Sequence, residues 1–217
     1  MDSAFPPPAR LWAAFLSLLA LGSLVAQSTA HLDRGVSLPE AWEAMLRFFT
    51  IWGNLAAGVI FAWIAIRGRI EPRIPFALAA ALVIIAVVYH LLLSSMHFPE
   101  GLEWWTNIFH HTLVPAGGVL WWLLFSRDWL AGWRSLPIVM LVPVIYGAFA
   151  LANGAVTGFY PYFFLDQPKL GLGMVLLNMA GLAIIFMAVA ALLLLVRKLV
   201  RAAGRTPADS NADQAPL

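Results

Sequence analysis

An all-α bundle of six transmembrane helices is what this sequence predicts, and three observations predict it. The 217 residues are 62% hydrophobic and only 11% charged, too few charges to cover a soluble globule of that size. Apolar runs of roughly 20 residues recur, the length a bilayer crossing needs. Between them the charges gather in short clusters whose sign follows a membrane pattern.

The runs fall at about Leu11–Thr29, Phe48–Ile66, Pro75–Met96, Trp105–Phe125, Leu136–Val156 and Leu170–Val196. Residues 1–204 form one six-helix domain on this reading. The stretch 205–217 is small, polar and broken by proline, so it reads as a disordered tail. Arg10, then Arg67, Arg69 and Arg73, then Arg127 and Arg134, then Arg197, Lys198, Arg201 and Arg205 fall on one side of the spans. Arg34, Arg47 and Lys169 fall on the other. The bias places both termini in the cytoplasm of a plasma membrane, and an even number of spans agrees with it. Trp104 and Trp105 at one face, with Trp129 and Trp133 at the other, suit interfacial belts. The first run has an alternative reading as a signal peptide cleaved near Ser28-Thr29-Ala30, which Asp2 and three prolines in its leading segment disfavour.

Composition also excludes. The chain has no cysteine, which removes disulfides, thiolate metal sites, iron–sulfur clusters and cysteine nucleophiles. The pI near 9.3 belongs to positive residues at helix ends, so no nucleic-acid partner is expected and the lipid bilayer is the expected surrounding.

Polar residues inside the spans are costly and mark function by default. Here they gather at the non-cytoplasmic depth: Thr50 and Asn54, His90 and Ser94, Asn107, His110 and His111, then Asn153, Thr157 and Asn178. Residues four apart share a helix face, pairing Thr50 with Asn54, His90 with Ser94 and Asn107 with His111. His111 then turns inward with Asn107 beside it, while His110 points about 100° away, toward a neighbouring helix or the interface. The competing reading is structural, since Ser, Thr and Asn in spans often only hydrogen-bond a neighbouring helix or the carbonyl four residues back.

A hydroxyl beside an imidazole makes an activated oxygen nucleophile, and Thr50 with His111 are the candidates. No carboxylate is expected at that depth inside a span, so Asn107 has to orient the base. His90 and His111 on adjacent spans suit a haem or metal equally well. On the residues alone hydrolase, cofactor binder and transporter stay open.

Three strings go further: Arg47-Phe48-Phe49-Thr50-Ile51-Trp52-Gly53-Asn54, Asn107-Ile108-Phe109-His110-His111-Thr112-Leu113-Val114-Pro115, and Gly158-Phe159-Tyr160-Pro161-Tyr162-Phe163-Phe164-Leu165-Asp166. In that order they resemble the androgen-induced gene family of six-pass membrane threonine hydrolases. The resemblance covers most of residues 10 to 200. It implies an intramembrane hydrolase of lipid esters, with fatty acid esters of hydroxy fatty acids as the substrate and no cofactor. It places the nucleophile at Thr50. For the histidine, the Asn-x-x-x-His spacing selects His111, whereas counting back from the proline selects His110. The segment Tyr160, Pro161 and Tyr162 with Asp166 is expected over the site as a lid or rim, or else as an interfacial anchor. Arg47, one turn before Thr50, is expected to hold a substrate carboxylate.

Overall fold

A computed structural model describes residues 4–125 and 133–204 of the chain. Arg127, Trp129, Arg205 and the 205–217 tail lie outside the described residues. All regular structure among the described residues is helical, and six helices are long and apolar enough to cross a membrane: Pro7–Leu32, Phe49–Arg67, Arg73–Met96, Leu102–Phe125, Trp133–Thr157 and Leu172–Val200. The chain is an integral membrane protein of all-α architecture.

Local chemistry sets the boundaries. Helix α1 (Pro7–Leu32) opens with proline in its first turn, where the missing N–H costs nothing, and runs unbroken through Ala30. Helix α3 (Phe49–Arg67) stops at Gly68, which takes φ +66° and returns its N–H to Ile64 O at 2.8 Å. Between them lies α2 (Leu38–Leu46), a nine-residue helix too short and too charged to span. Its start is a capping box, Ser37 and Glu40 each bonding the other's backbone or side chain, with proline just inside.

The third span, α4 (Arg73–Val88), ends in a π turn, Tyr89–Leu93, and a 3₁₀ turn, Ser94–Met96. The fourth is α5 (Leu102–Ile108), a second π turn at Phe109–Leu113, then α6 (Val114–Phe125). The fifth is α7 (Leu136–Thr157), entered through a 3₁₀ turn at Trp133–Ser135, and after the short α8 (Gln167–Leu170) the sixth is α9 (Leu172–Gly204).

Helix α4 is the centre of the bundle, packed against α3, α6, α7 and α9, and it is apolar all round as a buried helix must be. The closest pair is α1 on α3. They approach over Gly58, where a Cβ would run into Leu21, and Ser17 donates to the Gly58 carbonyl at 2.8 Å. Leu11, Leu18, Ile66, Ile184 and many other large apolar side chains lie on the outer surface, as lipid contact requires. Trp104, Trp105 and Trp133 are all about half exposed or more, consistent with interfacial anchors. One end of the bundle carries α2 and the segments joining α4 to α5 and α7 to α9; this is the site end. The opposite end holds the start of α1 and the turn at Gly68.

Candidate functional site

The two π turns lie at the site end, and they set the geometry there. Pro115 has no N–H to give the His111 carbonyl, and its ring clashes with that carbonyl in a regular helix. The turn before it widens, so that Val114 N–H bonds Phe109 O instead of His110 O. The freed His110 carbonyl accepts from Asn54 Nδ2 at 3.2 Å, and the same amide nitrogen also donates to Thr50 O at 2.9 Å. In α4, Ser94 N–H reaches Tyr89 O, and the freed His90 carbonyl takes the Ser94 hydroxyl at 3.0 Å.

Helix α3 starts directly after α2, with Thr50 in its first turn. Phe48 precedes it with no side chain able to cap, and Tyr162 supplies the cap from the α7–α9 segment: Phe49 N–H donates to Tyr162 Oη at 3.0 Å. Burial pushes the Tyr162 phenol up, against the lowering effect of that N–H, so Tyr162 stays protonated. Tyr146 on α7 donates to Arg47 O at 2.7 Å, fastening the residues just before α3.

Thr50 Oγ1 stands 3.2 Å from His111 Nε2. On the other edge of the ring, His111 Nδ1 is 3.1 Å from the Asn107 carbonyl oxygen. A carbonyl only accepts, so the proton sits on Nδ1 and the Nε2 lone pair faces the threonine hydroxyl. The expected role of Asn107 is therefore filled by its backbone, not its amide. Tyr89 stacks flat on the imidazole, centroids 3.8 Å apart and planes 15° apart, and its hydroxyl lies 3.4 Å from His97 Nδ1. The ring is held by two edges and one face.

A cavity of about 430 Å³ opens at this pair, and Thr50, Asn107, His110, His111 and Tyr162 all border it. His110 is 4% exposed; of its two expected places it takes the neighbouring helix, in the cavity wall beside α3. Bordering residues that escaped the sequence reading include Gln27, His31, Tyr89, His97 and Glu103. Glu103 brings a carboxylate to the cavity, from the start of the fourth span and not from the depth of Thr50 and His111. It belongs to the first turn of α5, three residues before the buried Thr106, and its carboxylate is paired with Arg34 at 2.7 Å. Gln27 links the two elements, accepting from the Thr106 hydroxyl and donating to Glu103 at 3.4 Å. The polar rhythm of α1, Gln27 to His31, was the available signal.

Other expected residues sit elsewhere. Arg47 pairs with Glu43 at 2.6 Å and lies over the Phe159 ring, and it is not among the residues that border the cavity at Thr50. His90 is exposed and bonds the Thr112 hydroxyl at 3.0 Å, so it shares no cavity with His111. Tyr160 packs its ring on Gly154, where no side chain would fit, and Asp166 caps α8 and pairs with Lys169 at 2.6 Å. Asn153, Thr157 and Asn178 bond nearby carbonyls, which is the structural role. No group of three or more His, Cys, Asp or Glu able to hold a metal occurs among the described residues.

No protein-family model, curated protein or solved structure matches the chain. The functional reading is carried by the geometry at Thr50 and by the sequence strings around it.

Proposed function

We propose that the chain is an intramembrane lipid ester hydrolase with Thr50 as nucleophile and His111 as general base. The observation that carries it is the 3.2 Å contact from Thr50 Oγ1 to an imidazole whose tautomer the Asn107 carbonyl fixes. The resemblance to the androgen-induced gene family implies the same nucleophile, and its Asn-x-x-x-His spacing implies the same histidine, where counting back from the proline selects His110. As the Thr50 oxygen attacks an ester carbonyl, its proton passes to His111 Nε2. When the tetrahedral intermediate collapses, the acyl–oxygen bond breaks and the imidazolium gives that proton to the leaving alkoxide, so the alcohol departs and the acyl group stays on Thr50. Water then attacks the acyl-threonine as His111 takes its proton; collapse of that intermediate breaks the bond from Thr50 Oγ1 to the acyl carbon, the imidazolium returns the proton to Thr50 Oγ1, and the fatty acid is released. Thr50 is in the first turn of α3, so the oxyanion forms beside the positive end of that helix.

By the charge bias we place both termini in the cytoplasm and the site at the outer leaflet of a plasma membrane, where an acyl chain enters from lipid and the ester stays within reach of water. The hydroxy fatty acid ester as substrate is carried by the resemblance alone.

Covalent labelling of the purified chain by an activated-ester probe is the test. Thr50→Ala should abolish labelling and ester hydrolysis, and Thr50→Ser should keep part of both because it keeps the hydroxyl. A folded Thr50→Ala protein that labels and hydrolyses like the parent makes Thr50 a packing hydroxyl and ends the threonine mechanism. A parent chain that neither labels nor hydrolyses esters ends the hydrolase reading, and a non-catalytic transporter or a lipid or haem binder then takes its place.

A further inference from the structure

Thr50, Tyr89, Leu93 and Tyr162 border a second cavity besides the one already described. It measures about 100 Å³ and lies among α3, α4, α7 and α9. Met140 to Gly147 on α7 and Met179 to Phe186 on α9 line it mainly at steps of three and four residues, one helix face apiece. Among the described residues, Thr50 and three tyrosines are the only lining side chains with an oxygen or nitrogen. The tyrosine hydroxyls are already engaged, Tyr146 with Arg47 O, Tyr162 with Phe49 N–H and Tyr89 with His97 Nδ1. What remains for a ligand is a hydrocarbon wall, which suits methylene groups.

The pocket has a direction. The Phe49 ring, next to Thr50 in the chain, packs on Tyr146 and Phe186 with centroids 5.1 and 6.0 Å away, so those residues are level with the start of α3. Met140 lies about 9 Å from Tyr146 along α7 toward the opposite end of the bundle, at about 1.5 Å per residue. On the way, Val144 is 58% exposed, with Leu141 and Ile145 exposed around it. There the pocket meets the side of the bundle that faces lipid.

We infer that this pocket holds the acyl chain of the substrate and leads it past Val144 into the bilayer, so that the protein selects esters for a long linear acyl group. The inference rests on the hydrolase reading. Acyl transfer treats the two parts of an ester unequally. The alcohol leaves and water must follow it to the same carbonyl, which needs polar surroundings; Gln27, His31, His97 and Glu103 border the larger cavity. The acyl group stays on Thr50 through both steps, and its hydrocarbon belongs on the dry side. Gly147 keeps that side open, because a Cβ there would stand 2.8 Å from Met179 Cε. A larger side chain at this position competes with Met179 for the same space and narrows the pocket.

Ethyl decanoate and decyl acetate are isomers with the long chain on opposite sides of the ester, so they enter lipid alike. For the full-length purified chain in lipid nanodiscs, kcat/KM should favour ethyl decanoate by about ten-fold or more. Gly147→Leu should cost ethyl decanoate about ten-fold more than decyl acetate. Gly147→Ala, the smaller change, should shift the same way by about three-fold and covers the case in which the leucine variant does not fold. Adding Met179→Ala to Gly147→Leu makes room again and should bring the preference back to within about three-fold of the parent's, a rescue that a misfolded bundle does not give. A parent that favours decyl acetate, or neither isomer, overturns the inference whatever the variants do. Equal losses on the two isomers in both Gly147 variants overturn it too, while Thr50-dependent hydrolysis survives. Absence of hydrolysis of either isomer together with absence of probe labelling of the parent overturns the hydrolase reading as well.

Discussion

The two halves of the bundle solve the same problem in opposite ways. Toward the opposite end the helices are regular and their contacts apolar. Trp121 is wedged edge-on against Phe5 and Phe61 and donates to Ala9 O at 2.8 Å, and Gly118 admits Leu82 and Phe61 at distances a side chain would forbid. Arg10 closes the last turn of α3 by donating to Ala65 O at 2.9 Å and Ile66 O at 3.1 Å. Toward the site end two neighbouring spans abandon the α-helical ladder, at Tyr89–Leu93 and Phe109–Leu113. Lipid offers no partner to a freed carbonyl, so each one must be met from within. Asn54 and Ser94 do this for His110 and His90. The difference teaches that polar residues at the site end divide into those that repair the backbone and those left for chemistry. On the proposed function, Thr50, His111 and the cavity wall are the second kind.

The largest expected effect separates the halves by side of the membrane. A cysteine replacing exposed Glu100, in the segment between α4 and α5, should react with an impermeant maleimide on intact cells, whereas one replacing exposed Arg69 should react only after lysis. The native chain has no cysteine, so the background is clean. The reverse pattern would move the site to the cytoplasmic leaflet.

Next in size is the contrast between adjacent histidines. His111→Ala removes the base and should lower probe labelling by about 100-fold or more, while His110→Ala, which touches neither Thr50 nor the Asn107 carbonyl, should lower it much less. Equal losses in the two variants would mean that the widened turn, not the Thr50–His111 contact, is what labelling requires.

Much of this was legible in the sequence, for reasons that can be named. The spans were legible because a bilayer imposes a length and a charge rule, and each helix begins and ends within a few residues of its apolar run. Thr50, Asn54, Asn107 and His111 were legible because i,i+4 spacing survives up to the π turn: Asn107 and His111 still meet, although through the carbonyl. His110 takes the first of its two expected places, against a neighbouring helix, in a turn that Pro115 widens. Tyr89 and Glu103 were out of reach, since stacking and pairing between separate spans leave no periodic mark. Arg47 was placed by spacing alone, and it pairs with the acid one turn earlier, Glu43. Helix α2 was missed although Ser37-Leu38-Pro39-Glu40 spells its start.

That start gives the smallest effect and the finest test of how rigid the cavity wall is. Helix α2 contributes Ala44 and Met45 to the cavity at Thr50, so its order bears on the site while lying outside the spans. The Ser37 hydroxyl and backbone N–H both donate to Glu40, at 2.6 Å and 3.0 Å, and hold its carboxyl below the ordinary carboxylate value of 4.5. A group with a depressed folded value stabilises the structure above its unfolded value and loses that contribution as pH falls through the folded one. Amide exchange protection in the first turn of α2 should therefore hold steady above about pH 5 and decline below about pH 4. Glu40→Gln, which keeps the shape but cannot titrate, should start with lower protection and show no such decline. The regular helices of the opposite half should show neither change, because their ends are closed by Arg10 and by glycine turns that do not titrate in this range. A decline of equal depth in Glu40→Gln would place the acid sensitivity elsewhere, with the neighbouring Arg34–Glu103 pair as the next group to test.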